Sequence, residues 1–353
     1  MKSKTHQKDI KSSAKHDETS GNPAESKSVA SSTPWEVIKK NKSQFFFFLL
    51  GILAIPVCIS FFREFNDLRY WMLTEFKEPE YGWPQYSDFY ITGIACVVSW
   101  AIQIVMNKYT WKFFYNNCKE KNNEQVRLSK TQKSCDHFYK GFYFIVATVW
   151  GFVMMKDSDF LPPYLFGKGD LSRSYENYPL INWPAGLRVY YMSTMGYHLH
   201  MLLHHMMDHV RHDYMEMMLH HLVTLFLYGF SYLTNMTLSG AAVVYLHDIA
   251  DVFTQYVRCF CETTFETATI FSVVGMTITW FYTRILVLPF VIYKVCFAIG
   301  DIYHGRNFYS LSFFSVHLCI LYVLHIYWFG LLLRALSKFL SGRKLREASD
   351  EQK

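Results

Sequence analysis

Between Asp213 and Asp251 the chain places seven ionisable side chains in and around two apolar runs: Asp213, Glu216 and the tandem pair His220-His221, then His247, Asp248 and Asp251. On a helix, Asp213, Glu216, His220 and Thr224 fall at i, i+3, i+7 and i+11, a single stripe, with His221 about 100° to one side. Asp248 and Asp251 are i, i+3 and His247 and Asp251 are i, i+4, so the second run also gathers its acids on one face. A histidine beside a carboxylate suits proton transfer or nucleophilic attack, because the carboxylate orients the imidazole and stabilises the imidazolium that forms. Two histidines with acids equally suit a metal ion, and spacing does not choose between the two chemistries. As glue between helices each polar pair contributes about 1 kcal/mol or less. Ionisable groups at membrane depth are costly enough to mark a functional site, and this cluster is the candidate.

A second histidine group precedes the first: His198, His200, His204, His205, His209 and His212. His200/His204 and His205/His209 are i, i+4 pairs, a spacing that permits chelation and invites comparison with membrane di-iron hydroxylases and desaturases. No HxxHH element occurs, and the plainer reading is a cytosol-facing helix end whose histidines are solvated or line the substrate's path. Arg284 lies deep in a later apolar run, placed to pair with an acid, a substrate phosphate or a neighbouring carbonyl. Arg334, near the end of the last run, is expected to snorkel to headgroups.

The elements that must position these residues are membrane helices. Apolar residues make up 51% of the sequence, with 31 Phe, 25 Tyr and 9 Trp, and several windows are long enough for a hydrocarbon core that takes about 20 residues per helix. The expected fold is all-α, a multi-pass helical bundle of about eight spans with the polar site inside it. The spans fall near 44–62, 87–106, 140–155, 188–207, 216–234, 240–257, 268–297 and 310–336. The net charge of +6 is parcelled into tails and loops rather than gathered on one soluble domain, which argues against a nucleic-acid partner. Residues 1–43, rich in Ser and Lys, are expected to be a disordered tail, and residues 341–353 a polar one. The first forty residues lack an apolar core of the signal-peptide kind, so the first span is read as an uncleaved anchor. Lys and Arg crowd the 107–139 loop and the C-terminal tail, which sets both termini on the cytosolic side. The cysteines fall inside apolar spans or beside basic loops, a distribution of reduced thiols rather than a disulfide framework.

Arg211, Asp213, Glu216, Met217, His220-His221, Thr224, the Phe-Ser-Tyr at 230–232, Asn235, Gly240 and Leu246-His247-Asp248 with Asp251 resemble the central motif of the ceramide synthases in the TRAM/LAG1/CLN8 superfamily. Similarity continues through Tyr175-Glu176-Asn177-Tyr178-Pro179, Thr283-Arg284 with Pro289, and Leu324-His325-Ile326-Tyr327-Trp328, so that a catalytic membrane domain is expected over 130–340, preceded by two helices and a basic loop over 44–129. The chain departs from that pattern at Leu238, where Arg is common, and in the histidine-rich stretch. The resemblance implies N-acylation of a sphingoid base by a fatty acyl-CoA at the endoplasmic reticulum, with acyl-CoA as co-substrate and neither cofactor nor metal. It implies that one of His220 and His221 is nucleophile or base and the other its partner, with Asp248 and Asp251 orienting the imidazoles and holding the acceptor ammonium. Arg211, Asp213, Glu216, His247, Asn235 and Arg284 are the expected substrate-binding residues. Expected partners are the bilayer, another subunit of the same kind, or a small regulatory membrane subunit. The competing readings are the di-iron hydroxylase and a non-catalytic superfamily member that senses lipid or assists translocation.

Overall fold

The computed structural model describes residues 84–176, 178, 181–207, 214–296 and 309–340, with isolated positions between 52 and 70. The tails 1–43 and 341–353, nearly all of the first expected span, Arg211, Asp213, His209 and His212 lie outside the described residues. Helix α1 is Phe89–Asn117, prefaced by a 3-10 turn Tyr86–Asp88; α2 is Glu124–Met155, α3 Leu187–Met207, α4 Tyr214–Leu233 and α5 Thr237–Phe260. Helix α6 is Glu266–Trp280, which runs through a π-helical segment Phe281–Val287 into α7, Leu288–Cys296; α8 is Tyr309–Leu340. Among the described residues there is no strand, only an isolated bridge between Cys118 and Thr263, so the expected all-α class holds.

Among the described residues four helical runs are long and apolar enough to cross a membrane: Tyr86–Asn117, Glu124–Met155, Glu266–Cys296 and Phe313–Ser337. Helices α3, α4 and α5 are not in that set, and they are the ones that carry the histidines and acids. The expected third span, 140–155, is corrected. Helix α2 begins at Glu124, where the Asn123 side chain accepts from the Val126 amide at 3.1 Å and Glu124 stands in the first turn. Hydropathy registers only the apolar second half of this helix, so the expected loop 107–139 shrinks to a connection between Asn117 and Glu124.

Close contacts fix the bundle around the site. Helix α3 meets α1 at Gly196, where a Cβ would stand 2.5 Å from the Thr92 carbonyl oxygen, so only glycine permits this approach. Thr92 Oγ1 donates to the Met192 carbonyl at 3.1 Å in the same contact. Helix α2 runs antiparallel to α5, with His137 Nδ1 2.8 Å from Gln255 Oε1 and Gly141 set against the Tyr256 ring. The α4–α5 turn closes at Asn235, whose φ of 59° is a left-handed conformation that Asn tolerates better than most side chains. The connection before α3 is folded inward: Phe160, Leu161, Leu165 and Leu171 join the main core, and Tyr175 packs with Phe230, Met236, Phe313 and Phe314. The π-helical segment precedes Pro289. A proline lacks the N–H for a regular turn and its ring crowds the carbonyl four residues back, and a widened turn relieves both.

Candidate active site

Helices α4 and α5 face each other across a largely apolar cavity. His220, His247, Asp248 and Asp251 line one end, and Met236 and Phe314 stand at the other. From Ser239 to Asp251 along α5 the lining spans about 18 Å at 1.5 Å per residue. The structure therefore brings His220, His247, Asp248 and Asp251 together, as the two stripes imply. His221, adjacent to His220 with ring centroids 5.6 Å apart, is buried and turns toward α3. Nδ1 of each of the pair is buried and makes no hydrogen bond among the described residues.

Arg284, 2% exposed, is delivered by the π-helical turn. Its Nη2 lies 2.6 Å from Asp251 Oδ1 and donates to the His247 carbonyl at 3.2 Å, and its guanidinium lies 4.1 Å over the Trp280 ring. Asp251 is thus neutralised by a partner. Asp248, 1% exposed, has no ion pair among the described residues, and its Oδ2 makes no hydrogen bond there. The two acids that sequence pairs as equals are different groups: one belongs to a buried ion pair, the other keeps acceptor capacity at the cavity wall.

Sequence reasoning missed His325 as a site residue. It is fully buried on α8, and its Nε2 is 2.9 Å from His247 Nε2. His247 Nδ1 lies 2.7 Å from the Val243 carbonyl, which can only accept, so Nδ1 carries the hydrogen and, in the neutral ring, Nε2 is the acceptor. His325 Nε2 therefore donates, and its Nδ1, which makes no hydrogen bond among the described residues, is left as a base. Trp328 and Trp280 pack around this group, with ring centroids 5.5 Å from His220 and 5.6 Å from His325 respectively. The signal was present in the sequence, since His325 is an ionisable residue in a long apolar run and satisfies the criterion applied to His220.

The upstream histidines divide over two faces of α3. His198 lines the cavity, its ring 5.2 Å from Tyr228, and His205 faces the catalytic side, 5.5 Å from His221. His205 Nε2 donates to the Tyr214 carbonyl at 3.0 Å. His200 points the other way, 1% exposed among Trp100, Tyr139 and Tyr197, which corrects the expectation of a solvated helix end. Among the described residues no three His, Cys, Asp or Glu side chains converge as a metal set. Glu216 is fully buried, just over one turn before His220 on α4. Asn235 is displaced from the site: its Oδ1 accepts from Trp183 Nε1 at 2.8 Å, in the turn about 20 Å along the helix from the histidine pair, where its role is to shape the turn.

The sequence is similar to known proteins. Mouse ceramide synthase 4 is 29% identical over 230 residues, covering 65% of this chain and 56% of the relative, and human ceramide synthase 3 is 30% identical over 235 residues, covering 64% and 56%. Ceramide synthase hyl-2 of Caenorhabditis elegans is 25% identical over 288 residues, covering 74% and 85%. The match thus spans about half the length of the two mammalian relatives. A family profile described as the TLC domain matches residues 133–334, a stretch that holds every one of the site side chains placed above and more than half of the sequence, and the chain belongs to the TLC-domain family.

Proposed function

We propose that the protein is an acyl-CoA-dependent N-acyltransferase that joins a fatty acyl group to a sphingoid base in the endoplasmic reticulum membrane. The observation that carries this reading is the cavity in which His220, His247, Asp248 and Asp251 stand at one end of a mostly apolar lining long enough for an alkyl chain. A membrane-embedded thioester donor needs such a chamber, with its acyl tail in the apolar part and its carbonyl at the polar end. The names of the relatives point to the same reaction, and the divided histidines of α3 give a di-iron hydroxylase no common cage.

The reaction asks three things of the chain. The acceptor arrives as an ammonium and must lose a proton before its nitrogen attacks. Asp248, with its open carboxylate oxygen, holds that cation, and a neutral imidazole of the His220-His221 pair takes the proton. The amine nitrogen then bonds to the thioester carbon, the imidazolium gives its proton to the sulfur as the C–S bond breaks and CoA leaves as the thiol, and the imidazole, neutral again, takes the second proton that the nitrogen sheds on becoming the amide and passes it to water. Arg284 and Asp251 fix the α5 face that bears Asp248, and the His247–His325 pair braces α5 against α8. The decisive experiment is acyl transfer by the purified protein from a fatty acyl-CoA to sphinganine. Formation of dihydroceramide is expected, and its absence with an inserted, folded protein would sink the reading.

The membrane arrangement that accompanies this function is eight spans with both termini cytosolic, which puts the basic Lys108–Lys133 region on the side of the anionic CoA. In sealed microsomes a single cysteine introduced near residue 20 is expected to react with an impermeant reagent without permeabilisation. Reaction only after permeabilisation would reverse the orientation.

A further inference from the structure

A reaction that joins two long-chain substrates needs two apolar beds that reach one polar centre. The cavity described above supplies one. A second lies between α1, α2 and α3 and is bordered by Ile94, Val98, Ile102, Phe142 and Val146, all exposed on the outer side of the bundle. Tyr143 of α2 lines this groove, and its ring stacks on Tyr197 of α3 with centroids 3.3 Å apart and planes within 8°. The hydroxyls of Tyr143, Tyr190 and Tyr197 are buried and make no hydrogen bond among the described residues, the same condition as Asp248 Oδ2. All three tyrosines lie within electrostatic range of Asp248, and Tyr143, which lines the groove, and Asp248, which lines the catalytic cavity, stand on the wall between the two. Buried polar groups are normally satisfied, so open hydroxyls and a carboxylate oxygen at this level suit a polar ligand.

We propose that the outer groove is the binding site of the sphingoid base, with its alkyl tail along α1 and α2 and its ammonium and hydroxyls against the Tyr143–Asp248 wall. The proposal rests on the acyl-transfer reading above. Charge selects the occupant: Asp248 is the carboxylate that Arg284 leaves unpaired, so a cationic head is matched there and an anionic or zwitterionic one is not. Direction supports it as well. Because α2 and α5 are antiparallel and in register at His137–Gln255, the Tyr143 end of the groove lies level with Asp248. From that level the groove extends toward Trp150 for about 10 Å and the inner cavity toward Ser239 for about 14 Å by helix rise, the same way along the bundle. An amide formed at Asp248 would therefore carry its two chains side by side, as a membrane lipid does.

The test uses purified full-length protein in lipid vesicles and a sphinganine with a photoreactive diazirine at its terminal carbon. Labelling is expected on α1 near Tyr90–Val98 and on α2 near Val146–Trp150, and unlabelled sphinganine displaces it. In the acyl-transfer assay Val98→Trp and, separately, Val146→Trp are expected to raise KM for the amine about tenfold or more by filling the groove. KM for acyl-CoA stays unchanged in the same variants, which shows that they are folded. Labelling of Leu318 or Leu321 in place of the groove, or an amine KM that neither variant moves, overturns the proposal. So does a diacyl phospholipid probe that labels the groove and is not displaced by the amine, or a groove that no probe labels. A wild-type protein that is labelled at the groove yet makes no amide would instead overturn the acyl-transfer reading and leave the site standing.

Discussion

Replacing His220 by Ala, or His221 by Ala, is expected to remove acyl transfer almost completely while the protein still inserts and purifies as a folded species. His220 opens on the cavity, and His221 stands beside it with its ring toward α3. Nδ1 of neither ring makes a hydrogen bond among the described residues. Each substitution thus deletes chemistry rather than a structural bond. A general base contributes about 10² to 10⁴-fold, and a lost nucleophile more. The measurement is single-turnover amide formation at saturating acyl-CoA and sphinganine, alongside thermal unfolding in detergent. Retention of more than about a tenth of wild-type turnover would contradict a direct chemical role for that histidine. His205, 5.5 Å from His221, supplies a contrast, because its Nε2–H is already committed to the Tyr214 carbonyl.

Arg284→Met is expected to give the largest loss of stability. The guanidinium and the Asp251 carboxylate are 2.6 Å apart, with side chains 3% and 19% exposed. Removing one partner of a buried ion pair strands the other, which costs about 3–5 kcal/mol. The sharper result comes from the double replacement Arg284→Met with Asp251→Leu. A buried pair exchanged for apolar groups of similar volume is often neutral in stability, so the double variant is expected to melt close to wild type and to remain inactive. Recovery of both stability and turnover would show that the pair serves the reaction only as scaffold. Failure to recover stability would show that Arg284 holds the π-helical turn by its contacts with the His247 carbonyl and Trp280 as much as by charge.

These two predictions draw on different depths of the sequence. The tandem histidines and the acids of α5 are legible because they violate the apolar pattern around them, and helical periodicity alone puts each set on one face. Asp248 and Asp251 could not be told apart that way. Their difference comes from Arg284, some thirty residues later, and from the widened turn before Pro289 that aims it inward. His325 is visible as a polar interruption, but its link to His247 requires knowing that α8 returns beside α5. Asn235, expected among the substrate-binding residues, lies in the α4–α5 turn, where a left-handed backbone already explains an asparagine. The start of α2 was hidden for the opposite reason: its first half is polar enough to read as loop, and only the cap at Asn123 betrays it.

The inward-folded connection between α2 and α3 has a consequence for traffic through the protein. Tyr175 from that connection packs with Met236, Phe313 and Phe314, and Met236 and Phe314 line the cavity at the end away from the histidines. On the acyl-transfer reading proposed above, a two-tailed product made at the histidines meets this aromatic cluster along the axis of the cavity, and the route that keeps it oriented as a lipid runs sideways between helices into the leaflet. Release would then answer to that leaflet: a bilayer already loaded with product would push back and slow turnover.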